Sequence, residues 1–164
     1  MVEFLISLIL IIVLTIKEKK NMFSKACEYA IRASIYIASQ TIIGNRVSLI
    51  DVSNKIDSPE AFTSKILQKL VKFKIIQSIK GPRGGFEIEK NKMEAINLKM
   101  IVEAFEGDVL NRCSLGLNEC SDMHPCPFHY KYKPIKQNLI HIFESTNLID
   151  LIRQDIEDPT FLKK

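Results

Sequence analysis

Three cysteines and a histidine stand close together in the second half of this chain: Cys113, Cys120, Cys126 and His129, with six, five and two residues between successive members. Thiolate and imidazole groups gathered in one loop can satisfy a tetrahedral Zn²⁺ or an iron–sulfur cluster. Zinc knuckles normally space their cysteines about two to four residues apart. The wider gaps here suit a cluster several ångströms across better than a single ion, and zinc is the alternative. Gly116, Pro125 and Pro127 would help such a loop wrap. His124 is a second imidazole nearby, and Glu119 and Asp122 are possible oxygen ligands. His129 is preferred because the step Cys126-Pro127-Phe128-His129 sets it on the same turn as a thiolate. A nucleophilic cysteine–histidine pair would be the enzymatic reading, but three cysteines in one loop without a Gly-rich oxyanion element argue against it. Cys27 is the fourth cysteine and lies far away, on an apolar helical stripe, so it reads as a small core residue. The grouping disfavours a disulfide framework and implies a reducing, cytoplasmic compartment. Unliganded loop cysteines are the remaining reading.

A loop of this kind needs a scaffold, and the first half of the chain has a distinct one. Residues 22–92 hold twelve Lys/Arg against six Asp/Glu (+6), whereas residues 93–164 hold eight against eleven (−3). Within 59–83 the basic residues are Lys65, Lys69, Lys72, Lys74, Lys80 and Arg83, against Glu60 alone. A basic first half suits a polyanionic partner. Phe23, Ala26, Cys27, Ala30, Ile31, Ser34, Ile35 and Ala38 recur at helical spacing, which predicts a first helix over 23–38. Ser48 is positioned to cap a short second helix through Lys55. Asp57-Ser58-Pro59-Glu60 reads as a turn and a new start, with Ser58 as cap and Pro59 in the first helical position. The third helix runs over 59–73, with Phe62, Ile66, Leu70 and Phe73 on one face and Thr63, Ser64, Lys65, Lys69 and Lys72 largely elsewhere. Two short helices joined by a tight turn, the second basic, are the helix-turn-helix pattern. Residues 75–79 and 86–88 read as strands around Lys80-Gly81-Pro82-Arg83-Gly84-Gly85, a hairpin that forms a wing. A nucleotide-binding phosphate loop is excluded, because no GKS/T follows and no helix begins after the glycines.

A further helix is expected from Asn97 to Glu106, ended by Gly107. A longer one opens at Pro134 with Ile135, Leu139, Ile142 and Phe143 on one face, and continues over 147–156. An apolar-striped helix of this kind pairs with its mate in a dimer or packs on its own domain. The fold class is therefore mostly α with a small β-hairpin wing: a winged helix-turn-helix plus a long dimerisation helix. Three segments are expected: 1–21 as an apolar extension, 22–93 as the DNA-binding domain, and 94–164 as the cysteine loop with the dimerisation helices. The run from Phe4 to Ile16 falls short of the ~20 residues that cross a bilayer and lacks the basic flank of a secretory signal. Its preferred reading is a mis-assigned start upstream of Met22; a short membrane anchor and an apolar packing helix are the others.

Three stretches together resemble the Rrf-two family of winged-helix transcription regulators, in its IscR- and NsrR-like branches. They are Glu28-Tyr29-Ala30-x-Arg32-Ala33, the run from Leu67-x-x-Leu70 through Ser78-x-Lys80-Gly81-Pro82-Arg83-Gly84-Gly85-Phe86, and the cysteine loop. The likeness covers Met22 to about Arg153. It implies a homodimer on a palindromic operator in double-stranded DNA, with no small-molecule substrate, no enzymatic activity and no membrane role. It also implies an iron–sulfur cluster, [2Fe–2S] ahead of [4Fe–4S], on Cys113, Cys120, Cys126 and His129, whose state reports iron, redox conditions or nitric oxide. Two departures are visible: the first cysteine gap has six residues where five is usual, and Ser64 stands where the IscR-like branch has a glutamate. On this reading Thr63, Ser64 and Lys65 reach base edges in the major groove. Lys69, Lys80 and Arg83 contact phosphates, and Ser58, Phe62 and Gly81 complete the candidate DNA-binding set. The rivals are a constitutive zinc-stabilised DNA-binding regulator and an iron–sulfur module with no DNA role.

Overall fold

The computed structural model describes residues 21–117 and 119–157, with the backbone alone for 155–157. The apolar run of 4–16 lies outside the described residues. Among the described residues, no helix is long and apolar enough to cross a membrane.

Among the described residues, six helices and one hairpin follow in order: α1 (Lys25–Ile42), α2 (Leu49–Ile56), α3 (Glu60–Lys72), β1 (Gln77–Ile79), β2 (Gly85–Glu87), α4 (Leu98–Glu106), α5 (His129–Ser145) and α6 (Leu148–Glu157). Short 3₁₀ turns at Lys90–Lys92 and Val109–Asn111 join them. Helix α1 is the hub and packs against α2, α3, α4, α6 and β2. Its stripe puts Ala30, Ala33, Ile37 and Ala38 fully inside. The small residues among them let the neighbouring helices approach closely. The core joins Leu67 and Leu70 of α3, Ile101 of α4, and Leu148 and Ile152 of α6, so residues on both sides of position 93 share it. Truncating a fully buried leucine such as Leu70 to alanine would cost about 2–5 kcal/mol.

Capping explains most helix boundaries. Ser24 accepts from the Cys27 N–H at the start of α1. Ser48 and Asp51 form a reciprocal capping box on α2. Asn97 caps α4, and Gly107, at φ 63°, ends it. Two starts differ from the sequence expectation. Ser58 does not cap α3: Pro59 occupies the N-cap with no side-chain bond. Asp57 takes the left-handed conformation instead (φ 53°), and it and Ser58 send their N–H groups back to Ser53 O. Those backbone bonds close the turn in place of a side-chain cap. Helix α5 opens at His129 rather than Pro134, which lies inside it. The His129 N–H bonds to Cys126 O at 2.9 Å, and Tyr132 N–H to Phe128 O at 3.0 Å, so the last cysteine turn winds directly into the helix.

The hairpin is antiparallel, with Gln77 opposite Glu87, Ser78 opposite Phe86 and Ile79 opposite Gly85. A three-pair hairpin is marginal by itself. Val47 extends it as an isolated bridge, exchanging two backbone bonds with Phe86 at 3.1 and 2.8 Å.

Candidate functional site

The helix-turn-helix is bolted to α1 by the residues of its opening motif. Arg32 Nη1 donates to Ile56 O at 3.1 Å and Tyr29 Oη to Asp57 O at 3.3 Å, which occupies carbonyls at the end of α2. The Arg32 guanidinium also lies 4.3 Å from the Tyr29 ring centroid. Tyr29 in turn meets Phe62 edge-to-face at 5.7 Å. The start of α3 is therefore held against α1 on one side, and its other side is free to meet a groove.

The candidate DNA-contacting residues fall into two groups. Lys65, Lys80, Gly81 and Arg83 are exposed, and Ser64 is half-buried with its Oγ accepting from Gln68 Nε2 at 3.4 Å. The second group points inward. Thr63 is fully buried, and its Oγ1 donates to Pro59 O at 3.1 Å, so it is not on the exposed side expected for it. It shares a face with Leu67 and Leu70, and the internal hydrogen bond makes burial of its hydroxyl inexpensive. Lys69 reaches 4.7 Å from the Phe105 ring centroid on α4, a cation–π contact rather than an outward arm. Phe62 is half-buried against Tyr29, and the Ser58 Oγ is buried without a hydrogen-bond partner. Gln68, exposed on α3, is a polar group facing outward that the charge pattern did not single out.

The wing tip depends on its glycines. A Cβ on Gly84 would fall 2.3 Å from Ile79 O, and one on Gly85 (φ 145°) would fall 2.8 Å from Val47 O. Both positions exclude side chains for steric reasons.

The four cysteine-loop candidates are gathered as two pairs. Cys113 Sγ lies 3.8 Å from Cys126 Sγ, and Cys120 Sγ lies 3.5 Å from His129 Nδ1. Cys113 and His129 are buried, while Cys120 and Cys126 are half-buried. Backbone N–H groups of Leu115 and Leu117 favour the Cys113 thiolate and draw its pKa below the ordinary thiol value, against some desolvation. His129 Nε2 meets Asp122 Oδ1 at 2.7 Å, and Lys133 Nζ grips both Asp122 oxygens at 2.7 and 2.6 Å. Lys133, and secondarily His129, hold the Asp122 carboxyl below the usual carboxylate range. A cavity of about 250 Å³ opens beside this network, lined by Asn111, Cys120, Asp122, His129, Lys133 and Lys136 among others. Lys136, buried, donates to Asn111 O at 3.2 Å and fastens α5 to the entry of the loop. Glu119 and His124 are exposed. Among the described residues, no three or more of His, Cys, Asp and Glu converge as a ready-made ion site. Cys27 is a core residue: burial, then Glu106 and Glu28, push its thiol up to about 12.

Comparison with known proteins decides the family. The Rrf-two family, iron-dependent transcriptional regulators, matches residues 23–154. The chain belongs to the Rrf-two family. An Rrf-two chain is a DNA-binding transcription regulator and not an enzyme. An HTH-type transcriptional regulator of Aquifex aeolicus is 33% identical over 135 residues, covering 80% of this chain and 91% of that protein. The IscR regulator of Photorhabdus laumondii is 24% identical over 131 residues, 79% of each chain. Two solved structures share the Rrf-two fold. CymR, the global cysteine regulator of B. subtilis, superposes with a TM-score of 0.66 at 20% identity, covering 80% of this chain and 95% of its own. T. potens IscR does so at 0.65 and 16%, covering 90% and 94%.

Proposed function

We propose that this Rrf-two protein binds a palindromic operator as a cytoplasmic homodimer, and that an iron–sulfur cluster on Cys113, Cys120, Cys126 and His129 sets its affinity. The observation that carries the reading is the orientation of His129. Its Nε2 faces Asp122 at 2.7 Å, which leaves Nδ1 aimed at the Cys120 thiol 3.5 Å away. A carboxylate behind an imidazole is the arrangement that fixes the ring orientation of a ligating histidine. The donor set fits the group: three thiols and an imidazole, one thiol already drawn toward its thiolate by backbone N–H groups. When bound, the cluster supplies a centre that reacts with oxidants and nitric oxide; [2Fe–2S] is the nuclearity proposed.

The chain's own residues supply the path to DNA. The cysteine loop winds into α5 at His129, and α5 packs on α4. Phe105 of α4 packs in the same apolar cluster as Leu139 and Phe143 of α5. The same Phe105 ring carries Lys69 of α3, 4.7 Å from its centroid. A change in how residues 108–128 are tethered therefore meets the recognition helix within two packing contacts. Ile135 and Ile142, seven residues apart on α5, are 64% and 48% exposed and form the stripe on which a second copy would pair. Lys65 and Ser64 then address bases, and Lys80 and Arg83 address phosphates.

The test is anaerobic purification of the full chain, read by visible absorption with iron, sulfide and zinc analysis. A brown protein with matching iron and sulfide, lost on Cys113→Ala, is the expected result. A colourless protein with one zinc would replace this reading with a structural metal.

A further inference from the structure

We propose that Arg46 is the positioning residue of the wing, fixing Lys80 and Arg83 for the phosphate backbone by holding Glu87 rather than by touching DNA. The proposal rests on the reading that the wing meets DNA.

Arg46 is placed where it can hold both ends of the tip. Its Nε donates to Glu87 Oε2 at 2.6 Å and its Nη2 to Glu87 Oε1 at 3.4 Å, a two-pronged grip on β2. Its Nη1 donates to the carbonyl of Arg83 at 3.2 Å, within the turn itself. Glu87 Oε1 also accepts from Gln77 Nε2 at 2.9 Å, so the same carboxylate ties β1 to β2. One guanidinium thus connects the segment before α2, both strands and the tip.

The hairpin needs such a brace. It has three residue pairs, and its backbone ladder is extended by the Val47–Phe86 bridge next to Arg46. Gly85 lies so close that a Cβ there would stand 3.2 Å from Arg46 Cβ. Arg83 and Lys80 extend from an exposed turn. Holding the Arg83 carbonyl orders this turn before DNA arrives, which lowers the ordering cost at binding. The planar fork matters as much as the charge, because an ammonium cannot hold a carboxylate on two prongs and a carbonyl on a third. Arg46 is itself a poor phosphate ligand, since Glu87 neutralises it.

The test uses the full chain and a duplex selected by the wild-type protein from a random-sequence pool, with Kd measured across a salt series. Arg46→Ala, Arg46→Lys and Glu87→Gln should each weaken binding on the order of tenfold. Each should also flatten the salt dependence, as Lys80 and Arg83 lose register. The Arg46→Ala/Glu87→Gln double variant should be no weaker than either single one. Glu87→Gln is decisive in sign. If Arg46 contacted phosphate directly, removing Glu87 would free it and tighten binding, and Arg46→Lys would bind as wild type. Either result overturns the proposal. Arg83→Ala with Lys80→Ala is the control: unchanged affinity and salt slope there would remove the wing from DNA binding altogether, and the proposal with it.

Discussion

Asp122 and His129 are joined by a 2.7 Å contact between Oδ1 and Nε2, in which an exposed carboxylate orients an imidazole that is itself 2% exposed. Lys133 grips both oxygens of the same carboxylate. If the imidazole is a ligand, this contact is part of the centre even though Asp122 touches no thiol. Asp122→Asn should lower the affinity for the bound metal by about 10–100-fold while leaving the fold intact. Competition with a chelator, monitored by the loss of visible absorption, measures it. Wild-type resistance to the chelator would mean that Asp122 has no supporting role.

The capping box of α2 makes a second prediction, about stability. Ser48 Oγ and N–H both bond the Asp51 carboxylate, and these bonds hold its pKa below the ordinary value. A carboxyl depressed in the folded state contributes stability above its unfolded pKa. That contribution is lost as pH falls through the depressed folded value. Ser48→Ala should cost about 1 kcal/mol at neutral pH. Asp51→Asn should flatten the acid limb of the stability profile. Thermal unfolding followed by circular dichroism, from neutral pH down to about 2, tests both.

Cys27 should be chemically silent. Burial and two nearby carboxylates put its thiol at about 12, and it is fully enclosed between α1, α4 and α5. In the metal-free folded protein, alkylation at about pH 8 should mark Cys120 and Cys126 first and Cys27 only on unfolding. Peptide mapping by mass spectrometry gives the order, and early labelling of Cys27 would contradict its place in the core.

The wing glycines predict a clean separation of folding from binding. Gly84→Ala would set a methyl 2.3 Å from Ile79 O and 2.8 Å from Gly81 O, both of them backbone atoms with little room to yield. The variant should keep its helical circular dichroism and lose affinity for DNA. Equal affinity for DNA would place the wing outside the interface.

Features that rest on local period and capping were legible from sequence: the α1 stripe, the Ser48 cap, Asn97 and Gly107 around α4, and the glycine turn of the wing. What escaped depends on competition between neighbours. Thr63 looked polar, yet it lies on the Leu67–Leu70 face and satisfies its own hydroxyl on Pro59 O. Lys69 looked like a phosphate arm, yet its charge rests over Phe105. Pro134 looked like a helix start, but bonds from the cysteine turn begin α5 at His129 and carry it through the proline. Arg46 and Glu87 are 41 residues apart, and no spacing rule links them. At the cysteine loop, residue types and proximity in sequence suggested the candidate ligands. The partnership of His129 with Asp122 and Lys133 needed coordinates.

The central claim is that the cysteine loop governs DNA binding. Its most direct test is an anaerobic titration of one selected duplex with the cluster-loaded protein and with the same preparation after iron is removed by chelation. The account predicts a clear difference in Kd at fixed salt, abolished in a variant with Cys113, Cys120 and Cys126 all replaced by Ala. Equal affinities for the loaded and stripped proteins would contradict it.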